Sequence, residues 1–288
     1  MTGVLLVSSC PSLDQQMTAP IGIFDSGIGG LSVLKALRGE LPGEDFIYIA
    51  DSGHAPYGER NDAHVIERSL AIAAYLVSQN IKALVVACNT ATAAAIDVLR
   101  AAHPTLPIIG VEPALKPAVA LSKTKHIAVM ATRSTLASAR FAALLAAQGK
   151  AEFVLLPGDG LAQAIEQAVQ DADATKVIAV CARIITTTSN FDGQKQPGNA
   201  STPFDTLVLG CTHYYFAAQH IAALVGPGVQ LLDTGQAVAR QTRRVLGHAR
   251  PARQAKQITF ISTGKPEALH AAASAWLGLR ANIQTLFI

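Results

Sequence analysis

No stretch of this 288-residue chain approaches the ~18 uninterrupted apolar residues needed to cross a bilayer, although half of its residues are hydrophobic. No membrane segment is expected. Aromatic residues are scarce, at 5%, and the net charge is only +3, with basic residues spread out apart from a short region at 240–253. Without a basic stripe interleaved with aromatics, nucleic acid is not an expected partner. The cysteines number four, Cys10, Cys88, Cys181 and Cys211, with no CxxC pair and no metal-type spacing. Reduced thiols in a cytoplasmic protein are therefore expected, and no metal. The first twenty residues contain an apolar patch at 3–7 but no basic segment before it, so they read as an extension, 1–20, rather than a secretory signal.

What the chain has in abundance is alternation. Its length suits two ordinary domains, each with its own core. The residue pattern predicts strands over 21–24, 46–50, 83–87, 108–111, 127–131, 153–156, 207–210, 231–233 and 258–262. Helical runs lie between them, for example at 63–79, 91–102, 136–148, 161–187 and 216–225. Such alternation implies an α/β fold with mostly parallel sheets flanked by helices. The polar segment SNFDGQKQPGNASTP at 189–203 reads as a surface loop.

The first strand leads into IGIFDSGIGGLSVLKALRGEL, with Gly27, Gly29 and Gly30 in a turn before leucines at helical spacing. The spacing does not make a dinucleotide fingerprint, and no Lys-Ser or Lys-Thr follows as a P-loop requires. Asp25 ends the strand, where open α/β sheets bind their ligands. The plain alternative is a tight turn between strand and helix.

ALVVACNTATAAA, from Ala83, can be laid over TLVLGCTHYYFAA, from Thr206: an apolar strand, a small residue, a cysteine, two polar residues, then a helix. Upstream of each lies another strand and polar turn, IGIFDSGIGGLS and HIAVMATRSTLAS. Two similar halves follow from this echo. Each presents a cysteine, Cys88 or Cys211, at a strand tip before a helix start, where free N–H groups lower a thiol's pKa. Cys181, inside a helical run, reads as a small buried hydrophobe. A disulfide switch lacks a CxxC-like reason for the thiols to meet. A metal site would need more ligands than Cys88, Cys211 and His213. Two-base proton transfer needs only the opposed thiols, one removing a proton from a carbon while the other delivers one to the opposite face.

IFDSGIGGLSVLKAL, APYG at 55–58, VVACNTATAA, GVEPALKPA, MATRSTLAS, VLGCTHYY and LLDTG together resemble, in order, the motifs of the glutamate racemases. The resemblance covers nearly all of the chain after residue 20. It implies two pseudo-symmetric α/β domains with the active site in the cleft between them, here 21–114 with 231–288 carrying Cys88, and 115–230 carrying Cys211. The strands at 231 and 258 are then both expected to rejoin the first sheet. It further implies that Cys88 acts on the face from which D-glutamate loses its proton and Cys211 on the L face, with Asp25 assisting Cys88 and His213 assisting Cys211. Ser26, Pro56, Tyr57, Gly58, Asn89, Thr90, Thr132, Thr135 and Thr212, with Asp25 and His213, match the family's substrate-binding positions. Glu166 matches a glutamate behind the histidine, with Asp159 as a competitor for that role.

Tyr215 stands where the family usually has proline. The resemblance implies no cofactor, and no lysine here sits in a Schiff-base context. It also implies a monomer or homodimer supplying D-glutamate for peptidoglycan, with a uridine-nucleotide cell-wall precursor as an activator acting through the extension. A start at Met17 is the plain alternative for that segment. A racemase for aspartate or another amino acid, and a regulatory binding protein that keeps the fold, are the other readings.

Overall fold

The structure is a computed structural model, which describes residues 18–186, 204–247 and 257–288. Cys10, the extension up to Met17, the polar loop at 189–203 and the end of the basic region from 248 onward lie outside the described residues.

The apolar run before the glycine turn forms strand β1 (Ile21–Asp25), and all of its residues are buried. An unbroken apolar pattern of this kind belongs to a parallel strand covered on both faces. Ile21 and Ile23 enter one core with Leu31, Leu34 and Leu37 of helix α1 (Leu31–Glu40). Phe24 enters the opposite core with Val65 and Ile72 of α2 (Asp62–Ser78). The leucine spacing read from the sequence is thus the buried stripe of α1.

Strand β1 pairs in parallel with β2 (Phe46–Ala50) and β3 (Ala83–Val86), and β3 pairs with β4 (Ile108–Gly110). In the second sheet, β5 (His126–Ala131) lies between β6 (Glu152–Pro157) and β7 (Thr206–Leu209), with β8 (Gln230–Leu232) beyond β7. The order β2-β1-β3-β4 in the first sheet therefore recurs as β6-β5-β7-β8 in the second. This duplication is the structural counterpart of the sequence echo. Strands β9 (Ile258–Ser262) and β10 (Ile283–Thr285) extend the first sheet beyond β2, again in parallel. In each sheet the two adjacent central strands, β1 and β3 or β5 and β7, run into the turns that carry the candidate residues.

Several expectations are corrected. The strand at Leu231 does not rejoin the first sheet: it is β8, paired with β7 at the edge that β4 occupies in the other half. The chain returns only afterwards, through helix Gly235–Leu246, whose Arg243 pairs with Glu40 of α1 at 2.9 Å. The run at 161–187 is two helices, α3 (Leu161–Asp171) and α4 (Thr175–Thr186), with Ala172 at φ 53° between them. Asp173 Oδ1 accepts the Thr175 N–H at 2.9 Å, a local side-chain turn that starts the second helix afresh. The run at 136–148 is likewise broken at Ser138, which caps helix Ala139–Ala146 by accepting from Phe141 N. Strand β10 had no counterpart in the sequence reading.

Candidate active site

Two residues past β3, Cys88 is the N-cap of helix Asn89–Ala102, and its Sγ accepts the Ala91 N–H at 3.5 Å. The thiol also lies 3.7 Å from Ser26 Oγ, which is 3.5 Å from Asp25 Oδ1. Asp25 Oδ2 accepts the Gly30 N–H at 2.7 Å. Burial pushes the Asp25 carboxyl above its ordinary range, against the pull of the His213 charge, the Gly30 N–H and Cys88. Burial first, and then the charge of Asp25, push the Cys88 thiol well up, outweighing the Ala91 N–H. The expected lowering at a helix start is thus overturned at Cys88, because desolvation exceeds what one long hydrogen bond to sulfur returns. Cys88 rests as a thiol, a proton donor.

The other side is built differently. Cys211, half-buried, precedes a six-residue 3-10 turn (Thr212–Ala217) rather than an α-helix. Its Sγ lies 3.8 Å from His213 Nδ1, and His213 Nε2 lies 2.8 Å from Glu166 Oε1. Burial alone would lower the His213 pKa, but the bonds to Cys211 and Glu166 override it and hold the imidazole well above its ordinary value. Glu166 is the mirror case: burial would raise it, but the hydrogen bond and charge of His213 hold it below the usual carboxylate range. Asp159 does not compete for this place, since its carboxylate pairs with Arg133 at 2.7 Å. Cys211 therefore has an imidazole held toward its protonated form beside it, and Cys88 a carboxyl.

Both cysteines line one cleft of about 230 Å³, together with Asp25, Ser26, Asn89, Thr90, Thr132 and Thr212. Pro56, Tyr57, Gly58, Glu166 and His213 line it as well. The halves meet across it: Thr90 Oγ1 lies 3.0 Å from Thr132 Oγ1, and Ser134 Oγ donates to the Gly58 carbonyl at 2.7 Å. Thr135 is not in the lining. It is buried behind Thr132, with the two hydroxyls 2.9 Å apart, and so supports that residue. The Tyr57 hydroxyl is spent on Asp51 and is not offered to the cleft.

Ser52, Arg133 and Gln163 are among the lining residues that the sequence did not single out. For Ser52 a signal existed, since it follows β2 at the same edge of the sheet as Asp25. Its buried hydroxyl and the buried Oδ1 of Asn89 have no hydrogen-bond partner among the described residues. Both therefore remain available to a polar ligand. Among the described residues no group of His, Cys, Asp or Glu has the geometry to hold a metal.

A family profile described as Asp/Glu/Hydantoin racemase matches residues 31–242. The glutamate racemase of Ralstonia pickettii is 47% identical over 266 residues, covering 90% of this chain and 88% of that one. That of Ectopseudomonas mendocina is 44% identical, covering 93% and 98% respectively. The chain belongs to the glutamate racemase family. Solved glutamate racemases agree in fold: isoform RacE1 of Bacillus anthracis superposes with a TM-score of 0.80 at 28% identity, covering 94% of this chain and 98% of that one. The Escherichia coli glutamate racemase, solved with L-glutamate and the activator UDP-MurNAc-ala, gives 0.80 at 30% identity, covering 93% and 98%. No described helix is long and apolar enough to cross a membrane.

Proposed function

We propose that this chain interconverts L- and D-glutamate without a cofactor, by two-base proton transfer at Cα. The observation that carries the reading is the pair of cysteines lining one cleft with unlike partners. From L-glutamate, Cys211 takes the α-proton beside His213, and Cys88 delivers a proton to the opposite face. From D-glutamate, Cys88 first passes its proton through Ser26 to Asp25 and then accepts the α-proton, while Cys211 takes a proton from His213 and delivers it to the opposite face. Positioned acid–base chemistry supplies only about 10²–10⁴-fold. The rest of the acceleration comes from alignment of the carbon between the sulfurs and from donors around the carboxylate. Thr90, Thr132 and Thr212 serve that second task, while the unpartnered Oδ1 of Asn89, an acceptor, suits the substrate ammonium.

The reaction belongs in the cytoplasm, where thiols stay reduced, and its D-glutamate serves peptidoglycan synthesis. A coupled assay with L- and D-glutamate and both aspartate enantiomers tests the reading. Turnover of glutamate well above aspartate supports it. Turnover of aspartate alone assigns a different substrate, and binding without turnover makes the chain a regulatory protein.

The activator in the E. coli relative motivates a second proposal, that a uridine-nucleotide cell-wall precursor activates this chain through its extension. Full-length protein and a form starting at Met17 are compared with and without UDP-MurNAc-ala. Activation of the full chain alone supports it. Equal rates in all four cases, or activation of both forms alike, removes the extension from regulation.

A further inference from the structure

None of Gly27, Gly29 and Gly30 has left-handed backbone, so what requires glycine in this turn is space rather than conformation. At Gly30 the space is claimed by its own half: an added Cβ would stand 2.7 Å from Asp25 Cβ and 3.1 Å from Ala87 Cβ. The other two meet the opposite half. A Cβ on Gly27 would stand 2.1 Å from Glu166 Oε1, and one on Gly29 would stand 2.3 Å from His213 Nδ1, both closer than real Cβ contacts allow. Between them the Ile28 N–H donates to Glu166 Oε1 at 3.2 Å, the same oxygen that meets His213. One turn further on, Ser32 Oγ donates to the Thr212 carbonyl at 3.1 Å.

We infer that Gly27 and Gly29 are positioning residues for proton transfer at Cys211: they form the seat on which the Glu166–His213 pair docks across the cleft. The inference rests on the two-base reading. Its physical content is an asymmetry between the two thiols. Cys88 takes its contacts, Ala91, Ser26 and Asp25, from its own half. The imidazole that serves Cys211 is held from behind by Glu166 and bounded in front by a turn of the other half. A methyl group at either glycine pushes the pair off its seat, moving His213 relative to the Cys211 sulfur, while Asp25 and Cys88 keep their places. The glycine turn, which looks like a phosphate cradle in the sequence, is a cradle for a carboxylate and an imidazole of the same chain.

Racemisation cannot reveal the asymmetry, because an equilibrium constant of one forces kcat/KM to fall equally in both directions. Elimination from the two enantiomers of 3-chloroglutamate can, since it needs only one base. The base takes the α-proton, the C–H pair forms the Cα–Cβ double bond, and chloride leaves with its pair. The enamine tautomerises and hydrolyses to 2-oxoglutarate and ammonium, which are measured. Gly27→Ala and Gly29→Ala should slow elimination from the L enantiomer by about 10- to 100-fold, the cost of misplacing a catalytic group by an ångström. Elimination from the D enantiomer should change far less. Gly27→Ala should add little to the loss already caused by Glu166→Ala, because it acts through that side chain.

Equal losses for both enantiomers, full additivity with Glu166→Ala, or unchanged rates would overturn the inference. Circular dichroism checks that each variant is folded, and Gly30→Ala provides a comparison whose damage should fall mainly on the D enantiomer, because its Cβ meets Asp25 on the Cys88 side. Cys88→Ala and Cys211→Ala in the same assay separate the two levels. If each fails to abolish elimination from one enantiomer only, the two-base reading falls and this inference with it. If they succeed while the glycine variants show no selectivity, only the seat is wrong.

Discussion

Replacing Asp51 by alanine should cost about 3–5 kcal/mol of folding stability, because it strands a buried guanidinium without its partner. Asp51 follows β2 and is fully buried. Its carboxylate accepts from Arg68 Nε at 3.0 Å, from Arg68 Nη2 at 2.9 Å and from Thr263 Oγ1 at 2.7 Å, and it also accepts from the Tyr57 hydroxyl. Arg68 reaches on to the carbonyl of Ile288 at 2.8 Å, so one ion pair ties α2, β9, the chain end and the cleft wall together. Burial alone would raise the Asp51 pKa, but the hydrogen bonds from Arg68, Tyr57 and Thr263 outweigh it and hold the carboxyl below its ordinary value.

A depressed folded pKa contributes stability that is fully present above the unfolded value of about 3.9 and is lost as pH falls through the folded pKa. Urea unfolding followed by circular dichroism should therefore show the full Asp51→Ala deficit at neutral pH and a smaller one in strong acid. The double variant Asp51→Leu with Arg68→Met should recover much of the loss, since it buries no unpaired charge. A deficit under about 1 kcal/mol at neutral pH, the range of an exposed pair, would mean that the buried Asp51–Arg68 pair does not hold the fold together.

Glu166→Gln removes the charge that helps hold His213 protonated, so the upper limb of the kcat–pH profile should move to lower pH; an unmoved limb would deny the pair that role. Cys181→Ala should leave racemisation intact and cost on the order of 1 kcal/mol in unfolding, because Cys181 is buried among Val177, Ile184 and Leu207, away from the cleft. Lys35 Nζ lies 5.5 Å from the centre of the Tyr215 ring across the two halves. Lys35→Ala should cost about 0.5–1 kcal/mol of stability, and a larger loss in the same unfolding assay would mean that Tyr215 does more than replace a proline.

The features legible in the sequence were those written in local pattern. The leucines of α1 and the apolar runs of the central strands carry their burial in their spacing, and the echo between the Cys88 and Cys211 segments foreshadowed the repeated strand order. Leu231 shows where local pattern fails. A strand of three residues, Gln-Leu-Leu, carries no mark of which sheet it joins, and β8 pairs with β7. The break at Ala172 was hidden because the apolar period of α3 continues into α4, while the turn at Asp173 depends on one side chain. Cys88 was placed at a helix start, but its titration follows from burial and from Asp25, which only the folded sheet brings close. The need for Gly27 and Gly29 was invisible for the same reason. The atoms that demand them, on Glu166 and His213, lie 139 and 184 positions further along the chain.

Two thiols acting on opposite faces of one carbon leave an isotopic signature. L-glutamate is converted in D2O with the wild-type protein, and both enantiomers are recovered at low conversion for mass spectrometry. Two bases predict D-glutamate that carries solvent deuterium at Cα from the first turnovers, while unreacted L-glutamate keeps its protium. D-glutamate that retains the substrate's own α-hydrogen would mean that one base carries the proton from face to face, and would rule out a two-base mechanism.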